Sequence, residues 1–299
     1  MADDVHGILL LDKPLGLSSA GAVARTKRLF AAAKAGHTGS LDPLAEGMLP
    51  ICFGEATKFA SGLLEADKSY EVTARLGERT ASADLESPVI ERRSLPDWSA
   101  TDLATALAAF PRSYAQVPPM HSAIKQAGRP LYEYARAGEI REREARRIEI
   151  HELQLLNYQA PDLRFRVRCS KGTYIRVLAE DIAATLDTVA HLVGLRRTAV
   201  APFVDRPLHR LEALESMDLV ERRRSLLPVD AALQSVPRLQ LPATVVAALR
   251  QGRDVAWSGE APGLVRMYSE DMGFFGLGEV RDGARLSPLR LIAAAANRA

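Results

Sequence analysis

Apolar residues fill positions 7–11 of the chain almost without a break, and such a run reads as a short buried strand. Asp12-Lys13-Pro14-Leu15-Gly16 ends it, because proline and glycine punctuate regular structure. Ser18 is placed to cap a helix whose apolar positions Val23, Leu29 and Phe30 follow the helical period and which stops by Gly36. Residues 49–53 predict a strand, and Ala56, Phe59, Ala60, Leu63 and Leu64 predict an amphipathic helix. Tyr70, Val72, Ala74 and Leu76 alternate with polar neighbours, as in a half-buried strand. A further helix is expected over 99–110. Leu163, Phe165, Val167 and Cys169 alternate with Arg164, Arg166 and Arg168, which gives a strand with one apolar and one basic face. Ile175, Leu178, Ile182 and Leu186 then form a helical stripe. Strands and helices that mix without strict βαβ alternation predict an α+β fold on a central, mostly antiparallel mixed sheet flanked by helices.

Two stretches break this pattern. Residues 112–150 carry Pro118-Pro119, Gly128, Pro130, Gly138 and many charges, with a short helical patch over 131–137; they read as a long excursion over the surface. Residues 227–237 read as a linker between a unit over 1–235 and a small β-rich unit over 238–299 with one helix near 243–250. A short Ala run at 293–296 is the nearest approach to low complexity.

Bulk composition narrows the class. The chain has 299 residues, 47% of them hydrophobic, enough for one sizeable core and a smaller second one. No apolar run approaches the ~18 residues that span a bilayer. The acidic start lacks the apolar stretch of a signal peptide, so a cytoplasmic location is expected. Cys52 and Cys169 are expected to be small buried residues in a reducing compartment. The net charge is only +2, but residues 112–176 hold 13 basic against 7 acidic side chains. That local excess suits a polyanion such as nucleic acid. An ordinary solvated face is the alternative, and 32 of the 39 basic residues being Arg points to a general compositional habit.

The segment Gly36-His37-Thr38-Gly39-Ser40-Leu41-Asp42-Pro43-Leu44-Ala45-Glu46-Gly47 carries the most chemistry. Its glycines argue for a tight loop rather than a regular element. Pro43 disfavours the helical region for Asp42, so the carboxylate projects from extended backbone. Asp42 either makes a turn with Pro43 or presents a catalytic carboxylate, and Glu46 competes with it in the same loop. Other chemistries find little support. The loop lacks the Gly-Lys-Ser/Thr ending of a phosphate-binding loop, and no dinucleotide fingerprint follows a strand. The six His are scattered without metal-ligand spacing, and no Gly-x-Ser-x-Gly elbow occurs.

That segment strongly resembles the signature of the TruB family, whose members isomerise uridine in the tRNA T loop. Four more segments resemble the family's motifs in the same order. Asp12-Lys13-Pro14-Leu15-Gly16-Leu17-Ser18-Ser19 is similar to its first motif, and Lys68-Ser69-Tyr70 to its tyrosine motif. The stretch from Val117 to Lys125, with Gly128 and residues 131–136, resembles the insertion that grips the T arm. Ser170-Lys171-Gly172-Thr173-Tyr174-Ile175-Arg176 is similar to the arginine motif, with His191-Leu192 and Leu195-Arg196-Arg197 beyond it. The likeness is dense over 7–200 and continues more weakly into a tail resembling a PUA-like domain. It implies a pseudouridine synthase fold, tRNA as partner and no cofactor or metal.

The resemblance also assigns roles. Asp42 would attack the sugar or start elimination to a glycal, two routes that stay open. Arg176 would pair with it; taken alone, it is as readily a surface arginine. Tyr70 would stack on the target base and take a proton, although its place on an apolar face fits plain core equally. Tyr174 and Leu195 would surround a flipped base, Lys13 and Pro14 would shape the floor, and His37 would fill the vacated space. Arg129, Arg136 and the Arg face over 164–168 would meet phosphates. Two rivals follow: a tRNA-folding chaperone without chemistry, and a guide-dependent relative of the dyskerin type. The tail of only about 60 residues favours an enzyme needing no protein partner or guide RNA.

Overall fold

The structure, a computed structural model, describes residues 5–259, 263–281 and 284–293. The acidic start at 1–4 and residues 294–296 of the Ala run lie outside the described residues. In chain order the first unit runs β1 (Gly7–Lys13), α1 (Ser19–Leu29), β2 (Ala35–His37), β3 (Ala45–Phe53), a 3-10 turn (Gly54–Phe59), α2 (Ala60–Glu65), β4 (Lys68–Leu76), β5 (Glu78–Thr80), β6 (Val89–Arg92) and α3 (Ala100–Ala109). It continues with β7 (Ser113–Gln116), β8 (Lys125–Gln126), β9 (Arg129–Pro130), α4 (Leu131–Arg136), β10 (Arg146–Gln159), β11 (Asp162–Cys169), α5 (Ile175–Thr185), β12 (Ala190–Val200), β13 (His209–Arg210), α6 (Leu211–Ser216) and α7 (Leu219–Arg224). The tail holds β14 (Arg238–Leu241), α8 (Ala243–Arg250), β15 (Val255–Ala256), β16 (Gly263–Ser269), β17 (Gly273–Arg281) and β18 (Arg285–Leu291).

A nine-stranded sheet in the order β13-β1-β3-β12-β4-β11-β10-β7, with β2 beside β3, forms the centre. Two of its pairings, β1 with β13 and β3 with β12, are parallel and the others antiparallel. Period-2 alternation explains its layers. Leu9 and Leu11 of β1 join Leu49, Tyr70, Val72, Phe165 and the α5 stripe in the main core, while Ile8 and Leu10 pack with Met48, Cys52, Val200 and Phe203 on the other face. Burial on both faces is why β1 is apolar without a break from Ile8 to Leu11. Both cysteines are free and buried, and burial pushes each thiol up to about 12. The tail folds a five-stranded sheet around its own apolar cluster, which also takes in Phe59 and Leu233.

Several expectations need correction. Residues 36–47 are not wholly irregular: Gly36 and His37 lie in β2, and Ala45 to Gly47 begin β3. The amphipathic stretch after Gly54 starts as a 3-10 turn and becomes α-helical only at Ala60. The excursion is shorter at both ends, because Ser113–Gln116 and the residues from Arg146 onward are sheet strands; what leaves the sheet is 117–145. The linker is also docked. Ile8 and Leu227 exchange both backbone hydrogen bonds at 2.9 Å, and Asp230 pairs with Arg266 at 2.8 Å.

Candidate active site

Asp42 sits on a loop whose backbone is held from several sides. Arg197 Nη2 donates to Gly39 O at 3.1 Å and its Nη1 to Ser40 O at 3.4 Å. Ser19 Oγ donates to Leu41 O at 2.9 Å and accepts from Leu41 N at 2.7 Å. Ala45 N donates to Asp42 O at 3.0 Å, and Gly16 N to Pro43 O at 2.7 Å. The Lys13–Pro14–Gly16 turn and the start of α1, which Ser18 caps through Gly21 N, thus buttress the loop. Gly47 lets β12 approach, since with φ at 97° a Cβ there would lie 2.3 Å from Arg197 O. The carbonyls being satisfied, the Asp42 side chain is the free end of the loop, 44% exposed.

Arg176, in the first turn of α5, faces it. Its Nη2 lies 3.1 Å from Asp42 Oδ2, and its Nη1 3.4 Å from Asp84 Oδ2. It also donates to His121 O at 2.6 Å and Ser82 O at 3.1 Å. Arg176 is nearly out of solvent, at 6% exposure, and Asp84 is buried. Asp84 is therefore the internal counter-charge that makes a buried guanidinium tolerable, while Asp42 is the carboxylate a substrate can reach.

Behind this pair lies a cavity of about 290 Å³ lined by Asp42, Tyr70, Tyr174, Arg176, Leu195 and Arg197, among others. That is at the small end of the roughly 300–1,000 Å³ typical of small-ligand sites. Tyr70 is buried, and burial raises its pKa, an effect the nearby Arg197 charge opposes, so the phenol keeps its proton at neutral pH. Arg197 is itself buried and donates to Met48 O at 2.7 Å; burial lowers its pKa, an effect the Tyr70 hydroxyl opposes. Lys68 closes one wall by donating to Leu63 O, Leu64 O and Ala66 O at the end of α2, at 3.2, 2.7 and 2.6 Å. Burial lowers its pKa to about 8.

A second cavity of about 640 Å³ opens on the other side of Asp42 and holds His37, Tyr132 and Arg136. His37 Nδ1 is buried without a hydrogen-bond partner, and burial lowers its pKa, so the ring is neutral. Arg136 stacks over Tyr132 at 5.4 Å and, among the described residues, has no ion-pair partner. Asp42, Tyr70, Arg176, Tyr174 and Leu195 thus meet in the inner cavity, with His37 and Arg136 in the outer. Lys13 lines neither. Fully buried, it donates to Leu17 O at 2.6 Å and Pro14 O at 3.0 Å, and burial lowers its pKa to about 8 against the attraction of Asp42.

The Arg face over 164–168 is less available than its sequence implies. Arg166 pairs with Glu71 at 2.9 Å and Arg168 with Asp67 at 3.4 Å. Arg129 is occupied too, by Glu133 at 3.1 Å and by stacking on Tyr134 at 4.5 Å. Sequence reasoning missed Asp84 and Ser19, and left Arg197 without a role. Only Arg197 had a visible signal: adjacent residues on a strand face opposite ways, so one of Arg196 and Arg197 had to turn inward. Among the described residues, no group of three or more His, Cys, Asp or Glu is placed to hold a metal ion. No helix of theirs is long and apolar enough to cross a membrane.

Comparison with known proteins agrees with this architecture. Residues 27–175 match the family described as TruB family pseudouridylate synthase (N terminal domain). Residues 176–234 match a tRNA pseudouridylate synthase B C-terminal domain, and 237–292 a Pseudouridine synthase II TruB C-terminal family. Proteins named tRNA pseudouridine synthase B from Burkholderia mallei and Cupriavidus metallidurans are 48% and 49% identical to it; the alignments cover 96% and 97% of this chain and 97% and 95% of theirs. Among solved structures, a chain of a Cbf5-Nop10-Gar1 complex aligns with TM-score 0.73 at 26% identity, over 96% of this chain and 84% of that one. A chain of an H/ACA RNP bound to a substrate RNA containing 2'-deoxyuridine shares the fold, with TM-score 0.71 at 23% identity over 96% and 85%.

Proposed function

This chain belongs to the TruB family of pseudouridylate synthases, enzymes that isomerise uridine to pseudouridine in tRNA, and we propose that its target is the T-loop uridine at position 55, attacked with Asp42 as the catalytic carboxylate. The reaction exchanges a C–N for a C–C glycosidic bond without net oxidation or hydrolysis. It asks for a nucleophile and for proton handling. The observation that carries the reading is the Asp42–Arg176 contact of 3.1 Å at the mouth of a cavity walled by Tyr70, Tyr174 and Leu195.

The target nucleoside is flipped into the inner cavity, at a cost of about a few kcal/mol of lost stacking. Asp42 reaches the sugar and Arg176 holds it there. Tyr70, with its phenol proton retained, packs against the base, and Tyr174 and Leu195 close the other sides. His37, neutral and with an unpartnered Nδ1, fills the space the base leaves. Arg136 meets a T-arm phosphate, being the unpaired cation of the outer cavity. Lys13 supports the first turn rather than reacting, since its ammonium is held by backbone carbonyls.

The enzyme works alone on its RNA. Purified protein given an unmodified T-arm stem-loop is expected to release the hydrogen at uracil carbon 5 and leave pseudouridine. No release until another protein or a guide RNA is added would refute the stand-alone reading.

A further inference from the structure

Gln116 is the last residue of β7 and the last before the insertion, and it is buried at 2% exposure. Its side-chain amide is committed at every polar atom. Oε1 accepts from Tyr174 N at 2.8 Å. Nε2 donates to Tyr174 O at 3.3 Å and to the Tyr114 hydroxyl at 3.1 Å. That hydroxyl in turn donates to Asp181 Oδ2 at 2.6 Å, farther along α5. Tyr114 and Gln116 are two residues apart on a strand and so share a face.

Resting on the proposed reaction, we infer that Gln116 is a positioning residue for it: the amide fixes the backbone of Tyr174, and so sets the Tyr174 ring and the first turn of α5 against Asp42. Tyr174 is the N-cap of α5 and makes no side-chain capping bond, so local sequence does not hold this backbone in place. The turn before it is irregular, with Gly172 at φ 76°. Arg176 follows two residues later. Its Nη2 also donates to His121 O, near the start of the same insertion, so the root of the RNA-gripping segment touches the active-site helix at two points. A primary amide is the side chain that offers a donor and an acceptor side by side, which is what pairing with both polar groups of one backbone residue requires. Glutamate has the shape but no donor, and methionine has neither group.

The test uses the full chain, an unmodified T-arm stem-loop and single-turnover kinetics beside an RNA-binding titration. Q116M is expected to lower the maximal rate about 10- to 100-fold, the scale of a misplacement of about 1 Å, while the RNA dissociation constant stays within about 3-fold. Q116E is expected to be slower still, because it sets carboxylate lone pairs against Tyr174 O where the amide donated. Y114F keeps the Gln116–Tyr174 pair and is expected to stay within about 3-fold of wild type. A role in packing alone predicts the reverse order, with the near-isosteric Q116E close to wild type. That order overturns the inference, as do a rate and an affinity that fall in parallel. Inactive wild-type protein would instead refute the proposed reaction, so the two failures are distinguishable.

Discussion

The segment over 39–47, a loop that carries Asp42 and runs into β3, and the insertion over 117–145, which borders Asp42, are held in different ways. The loop is tied to the body of the sheet by Arg197, Ser19 and Gly16, so its carbonyls are satisfied and Leu41 and Ala45 are buried. The insertion bonds largely to itself: Leu131 N to Ile124 O at 2.8 Å, Tyr132 N to Ser122 O at 3.1 Å, and Tyr134 between the guanidiniums of Arg129 and Arg141 at 4.5 and 4.4 Å. Of its large apolar side chains Leu131 and Tyr134 are buried, while Ile140 is 86% exposed. Chemistry needs a carboxylate fixed to within a fraction of an ångström, whereas a grip on RNA gains from local stability low enough to adjust.

The contrast can be broken most sharply at Arg176. Arg176→Lys keeps a charge beside buried Asp84 but cannot also reach Asp42, Ser82 O and His121 O in one plane. It is expected to cut the single-turnover rate about 100-fold while RNA affinity changes less than about 3-fold. An affinity loss as large as the rate loss would move Arg176 from the fixed region to the gripping one. Hydrogen exchange compares the regions directly. Amides of 117–145 should exchange at least about tenfold faster than those of 39–47 and slow when T-arm RNA is added. Equal rates in the free protein would erase the distinction. Arg136→Ala should weaken RNA binding about 5- to 10-fold and flatten its salt dependence by about one phosphate contact, with the maximal rate unchanged. An unaltered salt slope would show that Arg136 meets no phosphate.

The smallest effect lies behind the fixed region. Burial raises the Glu180 carboxyl from 4.5 to about 7, with Arg79 and Arg176 opposing and Asp181 adding to the rise. The folded chain keeps a proton that the unfolded chain loses between those values. Stability from this group is therefore present below pH 4.5 and lost as pH rises through about 7. Glu180→Gln should melt about 1–3 °C above wild type at pH 8 and level with it near pH 4.5 by calorimetry. The same gap at both pH values would contradict this.

What the sequence made legible follows the same divide. Strong local patterns were readable: the run in β1, the capped start of α1, the alternation in β4 and β11, and the stripe of α5. β7 was hidden because Ser-Tyr-Ala-Gln has no apolar alternation and its inward residue is an amide whose partners are distant in sequence. Gly47 argued against a strand, yet within β3 it is the absence of a Cβ that admits Arg197. Motif residues marked the positions of Asp42, Tyr70 and Arg176, but Asp84, Ser19 and Gln116 act through contacts that no spacing along the chain displays. The Arg face of β11 is the converse case: Arg166 and Arg168 pair with Glu71 on the neighbouring strand β4 and with Asp67 just before it, partners 95 and 101 residues away along the chain.

The central claim is that the carboxylate of Asp42 performs the chemistry while the surrounding frame only presents it. Asp42→Asn changes one oxygen to a nitrogen on a loop whose backbone bonds do not involve that side chain. Wild type and variant should be mixed separately with the same unmodified T-arm stem-loop, and carbon-5 hydrogen release and RNA binding measured together. The account predicts complete release by wild type, none by the variant, and dissociation constants within about 3-fold of each other. Release by the variant at a rate within about tenfold of wild type would contradict it.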